Sequence, residues 1–178
     1  MAALLLWISS AVYYSPTLWM SREVLDDVEN ETGWDSSEAI LFEQPARLDA
    51  SLAAVVRPPV ETPVGFFVGF AGYGEQKVFA EEIKTAARVF GERYDTSART
   101  LLLINDQRDL KAQPLATVAG LQYALKGIAA KMQVDRDILF LSLSSHGSED
   151  PSISVSNGAV PLRDLTGACW PKPWSNPG

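Results

Sequence analysis

The sequence is poor in cysteine, histidine and basic residues. Cys169 is the single cysteine, so an internal disulfide is excluded, and with the single histidine, His146, it cannot complete a Cys/His zinc site. Fifteen basic residues stand against 22 acidic ones, and the formal net charge is -7. Because nucleic-acid affinity depends mostly on basic side chains, we expect no nucleic-acid partner. We expect no cofactor either, although metal binding by carboxylates alone stays open.

The N-terminal segment, residues 1–20, is apolar and aromatic and has no charged side chain. Its length is close to that of a membrane span, and it has neither the basic start nor the small-residue cleavage site of a signal peptide. We therefore expect an uncleaved membrane anchor or the remnant of a longer membrane region. A helix packed on the domain is the alternative. The next stretch is acidic, with Arg22 its one positive charge, which favours an extracytoplasmic position for the domain.

Residues 21–62 are predicted to form an acidic linker and a first helix. Apolar side chains recur at helical spacing over residues 38–56, where Pro45 predicts a kink or a break between two short helices. The sequence RPPVETP then ends this helical pattern.

From Val64 onwards, short apolar runs alternate with amphipathic stretches, which is typical of parallel βαβ units. The strands are nearly all apolar, as expected when helices cover both faces of the sheet. The sequence therefore predicts an α/β fold with a mainly parallel sheet and a small hairpin that turns at Asn157 and Gly158. The predicted strands are 64–70, 100–106 and 137–143, and the predicted helices are 75–94 and 114–132.

Polar, glycine-bearing loops follow the three strands: GFAGYGE, INDQRD and SSHGSED. Sites in open parallel sheets lie beyond the carboxyl ends of the strands, although turn chemistry alone explains the first two loops equally well. A phosphate-binding loop is the weaker interpretation of the first. The spacing of Gly69, Gly72 and Gly74 is not the dinucleotide pattern, and Glu75 would place a negative charge where the phosphate belongs.

His146 is the strongest candidate for a catalytic residue. An imidazole moves protons at neutral pH, and the adjacent Gly147 lets the backbone approach a substrate closely. A structural histidine at a strand end is the alternative. Ser145 is its neighbour on an extended segment and should point to the opposite face, so it is a poor nucleophile for this histidine.

The chain resembles the bacterial legumain-like cysteine peptidases, which have a caspase-like fold. The resemblance covers residues 38–166 and rests on FFVGFAGYGEQKVFAEEI, RTLLLINDQRD, PLATVAGLQYALKGI and DILFLSLSSHGS, in that order. It implies that His146 is the catalytic histidine, that the Gly147 N–H belongs to the oxyanion hole, and that the substrate is a peptide or protein. Asparagine specificity is not implied, because the first loop lacks the expected arginine.

The family nucleophile is a cysteine on the next strand, about 50 residues after the histidine in the related caspases. Cys169 is too close to His146 and follows no apolar strand. The pattern stops at about Gly167, so we expect an incomplete peptidase domain over residues 63–166 and an irregular tail over residues 167–178, as in a truncation or frameshift product. The third strand would then have an exposed outer edge, and the chain would be inactive.

Two other functions remain open. One is a noncatalytic module that binds a nucleotide or a protein, and the other is a serine hydrolase that uses Ser142 or Ser144 with His146. Acidic loop residues could also line a pocket for a basic side chain, although solvated loop charge is the preferred interpretation. These residues are Asp106, Asp109, Glu149 and Asp150.

Overall fold

The computed structural model describes residues 32–149, 151–158, 160 and 162–169, with side chains from residue 38. Contacts divide the chain into residues 1–39 and residues 40–178, and the packing below is that of the second unit. The predicted membrane segment, residues 1–20, lies outside the described residues. Within the described part of the chain, no helix is long and apolar enough to cross a membrane.

The central element is a parallel three-stranded sheet with the strand order β2-β1-β3. This confirms the predicted α/β class with a parallel sheet. Short 3-10 turns precede β2 and follow β5. The elements are α1 (Thr32–Ala54), β1 (Gly65–Ala71), α2 (Lys77–Tyr94), β2 (Thr100–Ile104), α3 (Val118–Ala129), β3 (Ile138–Ser144), β4 (Ser152–Ile153) and β5 (Leu165–Thr166).

Helices cover both faces of the sheet, as predicted. Along β1, alternate side chains point to opposite faces. One set packs on α1 and α3, whereas the other set faces α2, where a Cβ at Gly69 would lie only 2.6 Å from Ile83. The cluster towards α1 and α3 includes Leu48, Leu52, Phe66, Val68, Phe70, Leu101, Leu103, Leu121 and Ile128, and the cluster towards α2 consists of Ala71, Ala80, Ile83 and Ile104.

Pro45 lies inside one continuous helix, so of the two predicted alternatives, a kink or a break, the break into two short helices is wrong. Three buried side chains, Ile40, Leu48 and Leu52, recur at helical spacing before and after the proline. Their burial favours one continuous helix. The side chain of Gln44 also donates a hydrogen bond of 3.0 Å to the Ile40 carbonyl within this region.

Both later helices begin after their predicted starts. Glu75 lies before α2 because its carboxylate accepts hydrogen bonds from Ser156 Oγ and, at 3.1 Å, from the Gly158 N–H. The Pro114 carbonyl accepts the Ile104 N–H at 2.9 Å, which holds the segment before α3 beside the end of β2. The helix itself starts only after Thr117, whose hydroxyl accepts from the Gly120 N–H at 2.9 Å.

β3 is an edge strand of the described sheet and pairs there with β1 alone. None of its seven residues is buried, and Ile138 is 53% exposed. This agrees with the exposed outer edge that the sequence predicts for the third strand.

The predicted hairpin is present, but its turn is shifted by one residue. Asn157 pairs with Val160, so the reversal starts at Gly158, whose φ of 59° suits a glycine. A second antiparallel pairing, between β4 and β5, closes the same region further from the turn.

Candidate functional site

The carboxyl ends of the three parallel strands meet at one edge of the sheet, and the buried side chain of Asn105 joins them to their surroundings. Its Nδ2 donates at 2.9 Å to the carbonyls of Gly72 and Ala116, and its Oδ1 accepts from the Ala116 N–H at 3.0 Å. The sequence predicted a polar loop here without identifying this residue. A polar residue directly after a buried strand was the available signal.

His146 lies at this edge, two residues after β3, and is exposed. Its ring makes edge-to-face contacts with Tyr73 and Phe79, at centroid distances of 4.7 and 4.8 Å. Neither ring nitrogen makes a hydrogen bond with another described residue. The two aromatic rings therefore restrict the imidazole while leaving its nitrogens available for proton transfer.

Gly147 presents its backbone to solvent beside this imidazole. It pairs with Ile153 in an antiparallel bridge. The flanking residues make the hydrogen bonds of this bridge: the Ser154 N–H donates to the His146 carbonyl at 2.8 Å, and the Ser148 N–H donates to the Ser152 carbonyl at 3.3 Å. In this pattern the Gly147 N–H points away from the bridge, and it has no acceptor among the described residues. An added Cβ at this position would meet nothing within 4 Å.

Two of the nearby serine hydroxyls are engaged elsewhere. Ser144 Oγ donates to the Glu82 carboxylate on α2, and Ser145 Oγ donates to the Ser154 carbonyl. Ser142 lies in β3 opposite Gly69. No described serine is hydrogen-bonded to His146, so the structure brings together no serine and base pair.

Cys169, assigned above to an irregular tail, ends a 3-10 turn and is buried. It belongs to the core cluster on the α1 and α3 face, and its carbonyl accepts from Gln122 Nε2 at 2.6 Å. His146 instead contacts Phe79 of α2, on the other face of the sheet. A hydrogen bond of 3.3 Å with Thr166 Oγ1 lowers the pKa of the Cys169 thiol, but the thiol and the imidazole are not brought together.

Because the Cys169 side chain is buried, we expect a bulky thiol reagent to label it at least about tenfold more slowly in the folded chain than in the urea-unfolded chain. A colorimetric disulfide reagent, used at one pH on both forms, measures the two rates. Equal rates would contradict the buried position. The variant T166V should raise the pH at which labelling reaches half its maximal rate, because it removes the hydrogen bond that lowers the thiol pKa.

The first loop is occupied by the chain itself. The N–H groups of Gly72 and Gly74 donate to the carbonyls of Ser144 and Ser156, at 3.0 and 2.9 Å. A Cβ at Gly72 would lie 2.6 Å from the Ser154 carbonyl oxygen. These glycines therefore allow the segment after β4 to pack against the loop, and their N–H groups do not form a phosphate cradle.

The described acidic loop residues lie in different surroundings. Asp106 is buried rather than solvated, because Arg108 donates to both of its carboxylate oxygens, at 2.8 and 2.7 Å. These hydrogen bonds lower the pKa of Asp106. Asp109 and Glu149 are exposed, and Asp150 lies outside the described residues. The interpretation as solvated loop charge is thus confirmed for Asp109 and Glu149 and wrong for Asp106.

An apolar cavity of about 450 Å³, which the sequence analysis did not predict, lies between α1 and α3. Pro45, Leu48 and Leu115 line it, and at its rim Tyr123 Oη donates to Asp49 at 2.7 Å. Its lining includes Pro114, which bonds to the end of β2, but not His146 or Gly147.

No group of three or more His, Cys, Asp or Glu side chains among the described residues could hold a metal ion. Comparisons with family models, with curated proteins and with solved structures found no match to this chain.

Proposed function

We propose that this chain forms the histidine-bearing part of a cysteine-type endopeptidase domain with a caspase-like fold, and that it does not hydrolyse peptides by itself. The substrate class is a peptide or protein. One observation carries the proposal: at the end of β3, the exposed His146 imidazole stands next to the Gly147 N–H, which has no acceptor among the described residues. The resemblance of the sequence to legumain-like peptidases supports the same assignment.

The chemistry of peptide hydrolysis uses both groups. A thiolate attacks the peptide carbonyl, and the tetrahedral oxygen gains negative charge, which the Gly147 N–H stabilises by donating a hydrogen bond. His146, which took up the thiol proton as the thiolate formed, gives it to the departing amine as the C–N bond breaks, and water then hydrolyses the thioester that remains. Tyr73 and Phe79 hold the ring in one orientation during this transfer.

The thiol is the group that the site lacks. Cys169, the only cysteine, packs in the core on the opposite face of the sheet from His146. We therefore expect no turnover of fluorogenic peptides beyond that of the H146A variant. Hydrolysis that H146A abolished would contradict the proposed inactivity, and inhibition of that hydrolysis by a serine-directed phosphonate would favour a serine hydrolase.

Peptide binding tests the site independently of turnover. Because the chain has a single histidine, its imidazole gives one set of NMR signals, and an extended peptide that binds at the strand end should shift them. The matched variants are G147A, which keeps the N–H and has room for its methyl group, and G147P, which removes the N–H. We expect binding in G147A and loss of binding in G147P. Unshifted signals with a varied peptide library would contradict the proposal.

A noncatalytic protein-binding module is the second candidate, and the absence of a nucleophile near His146 in the described residues favours it. Peptide binding that was equal in G147A and G147P would support this candidate against the peptidase site. Its nucleotide-binding form is disfavoured, because the N–H groups of Gly72 and Gly74 are already bonded within the chain. Attachment to a membrane through residues 1–20, with the domain on the extracytoplasmic side, belongs to the proposal for either candidate.

A further inference from the structure

The outer edge of β3 has none of the features that usually protect an edge strand. Protected edges are short, or carry a charge, a proline or a bulge. β3 runs for seven residues, ILFLSLS, without a charge or a proline, and it pairs with β1 in unbroken register. Its edge is therefore able to pair with another strand.

The hydrogen bonds to β1 determine which groups of β3 face outwards. Ile138 N–H donates to the Val64 carbonyl at the start of the strand, and the Ser144 carbonyl accepts from Gly72 at its end, both at 3.0 Å. In a parallel ladder, every second residue bonds to the same neighbour. The outward N–H and C=O groups are thus those of the three residues between, Leu139, Leu141 and Leu143, which are symmetric about Leu141.

Partly exposed apolar side chains lie on both faces of this edge. The same three leucines point to the α1 and α3 face, where they pack at the border of the core. On the α2 face, Phe140 contacts Phe90 and Tyr94, at centroid distances of 4.7 and 5.2 Å. A strand added at this edge would bury apolar surface on both faces.

Helix α2 places opposite charges at the two ends of the edge. Glu82 lies at the Ser144 end, because its carboxylate accepts the Ser144 hydroxyl. Arg93 follows about three helical turns later, on the same side of the helix and about 16 Å further along its axis. This distance corresponds to about five strand residues, and the neighbouring Tyr94 contacts Phe140, which places the backbone of Arg93 near the level of Leu139.

We propose that a second copy of this chain occupies the edge, so that two β3 strands pair antiparallel about a two-fold axis at Leu141. The two sheets then form one six-stranded sheet. Leu141 lies opposite the partner's Leu141, and Leu139 lies opposite the partner's Leu143. The axis also brings Glu82 to the partner's Arg93, twice in the dimer.

The charges explain why the partner is a second copy in this orientation. With antiparallel strands, the acidic end of each α2 meets the basic end of the other. Parallel pairing would place Glu82 beside the partner's Glu82 and Arg93 beside the partner's Arg93, which is repulsive. The arrangement of outward backbone groups about Leu141 is symmetric as well, as an interface between identical chains requires.

Charge reversal tests the interface. Sedimentation from about 1 µM to 1 mM should show a monomer–dimer equilibrium, and E82R and R93E should each raise its Kd by about tenfold. The double variant E82R/R93E should return the Kd to within about threefold of wild type, because the two ion pairs form again in reverse. E81R carries the same change of charge one residue away and should leave the Kd unchanged.

A monomer at every concentration, or a double variant as weak as the single ones, would overturn the proposal. Hydrogen exchange gives a second readout: association should slow exchange at Leu139, Leu141 and Leu143 by at least about tenfold, and leave Phe140 and Ser142 unaffected. Uniform slowing along β3 would also overturn it. These variants leave His146 and Gly147 intact, so failure of the dimer and failure of the peptide site are distinguished.

Discussion

Replacing Asp137 with asparagine is expected to lower the free energy of unfolding by about 3 kcal/mol. The Asp137 side chain has no exposed surface, and Arg57 donates to its two oxygens at 2.7 and 3.2 Å. Its oxygens also accept the N–H groups of Val64 and Gln133, at 3.2 and 2.8 Å. One carboxylate therefore joins the segment before β1 to the turn before β3, and loss of its charge leaves Arg57 without its ion-pair partner.

Urea unfolding at pH 7 measures this loss. The matched control is E61Q, because Glu61 forms an ion pair with Arg136 at 3.1 Å in the same region but is 91% exposed. E61Q should lower the free energy of unfolding by less than about 1 kcal/mol. Equal losses in D137N and E61Q would contradict the structural role given to Asp137.

The same carboxylate should make stability depend on pH. The hydrogen bond from Arg57 is the largest effect that lowers the pKa of Asp137, from 3.8 to about 2. Because the folded pKa lies below the unfolded one, the stabilisation is complete above about pH 4 and is lost as the pH falls towards 2. The difference in unfolding free energy between wild type and D137N should narrow over that window, and a constant difference would contradict this assignment.

The strands were predictable because their signals are local. Each predicted strand overlaps an observed one, since an apolar run between polar loops has few other structures in a chain of this composition. The helix starts were less predictable. α2 and α3 begin late because Glu75 and Pro114 are held by distant groups, the turn at Gly158 and the end of β2. No local propensity specifies such contacts.

The candidate site was predictable in part, because one part of its signal is also local. The position of His146 after an apolar strand indicated the strand end, and the structure places it there. The contacts with Tyr73 and Phe79 come from the first loop and from α2, so spacing along the chain could not give them. The burial of Cys169 was missed because its contact with Gln122 spans 47 residues, while the prolines nearby suggested an irregular tail.

Replacing Asn105 with leucine is expected to lower the free energy of unfolding by about 2–4 kcal/mol. Leucine has a similar size but cannot bond to the Ala116 N–H and C=O, which have no other described partner. The Gly72 carbonyl loses less, because it also accepts from the Ser156 N–H at 2.9 Å. The penalty therefore arises at Ala116, where two buried backbone groups are left without partners.

Urea unfolding measures the loss, and hydrogen exchange shows where it arises: in N105L the Ala116 amide should exchange faster, while the amides within β1 keep their protection. The matched control is N157L. Asn157 is also buried, but its Oδ1 has no hydrogen-bond partner among the described residues, so leucine there removes no bond from that oxygen and should cost little. Equal losses of unfolding free energy in N105L and N157L would mean that the loss comes from replacing a buried asparagine, and not from the hydrogen bonds to Ala116. A larger cost at Asn105, with faster exchange at Ala116, would establish that its amide, and not its burial alone, holds the Ala116 segment beside the strand ends.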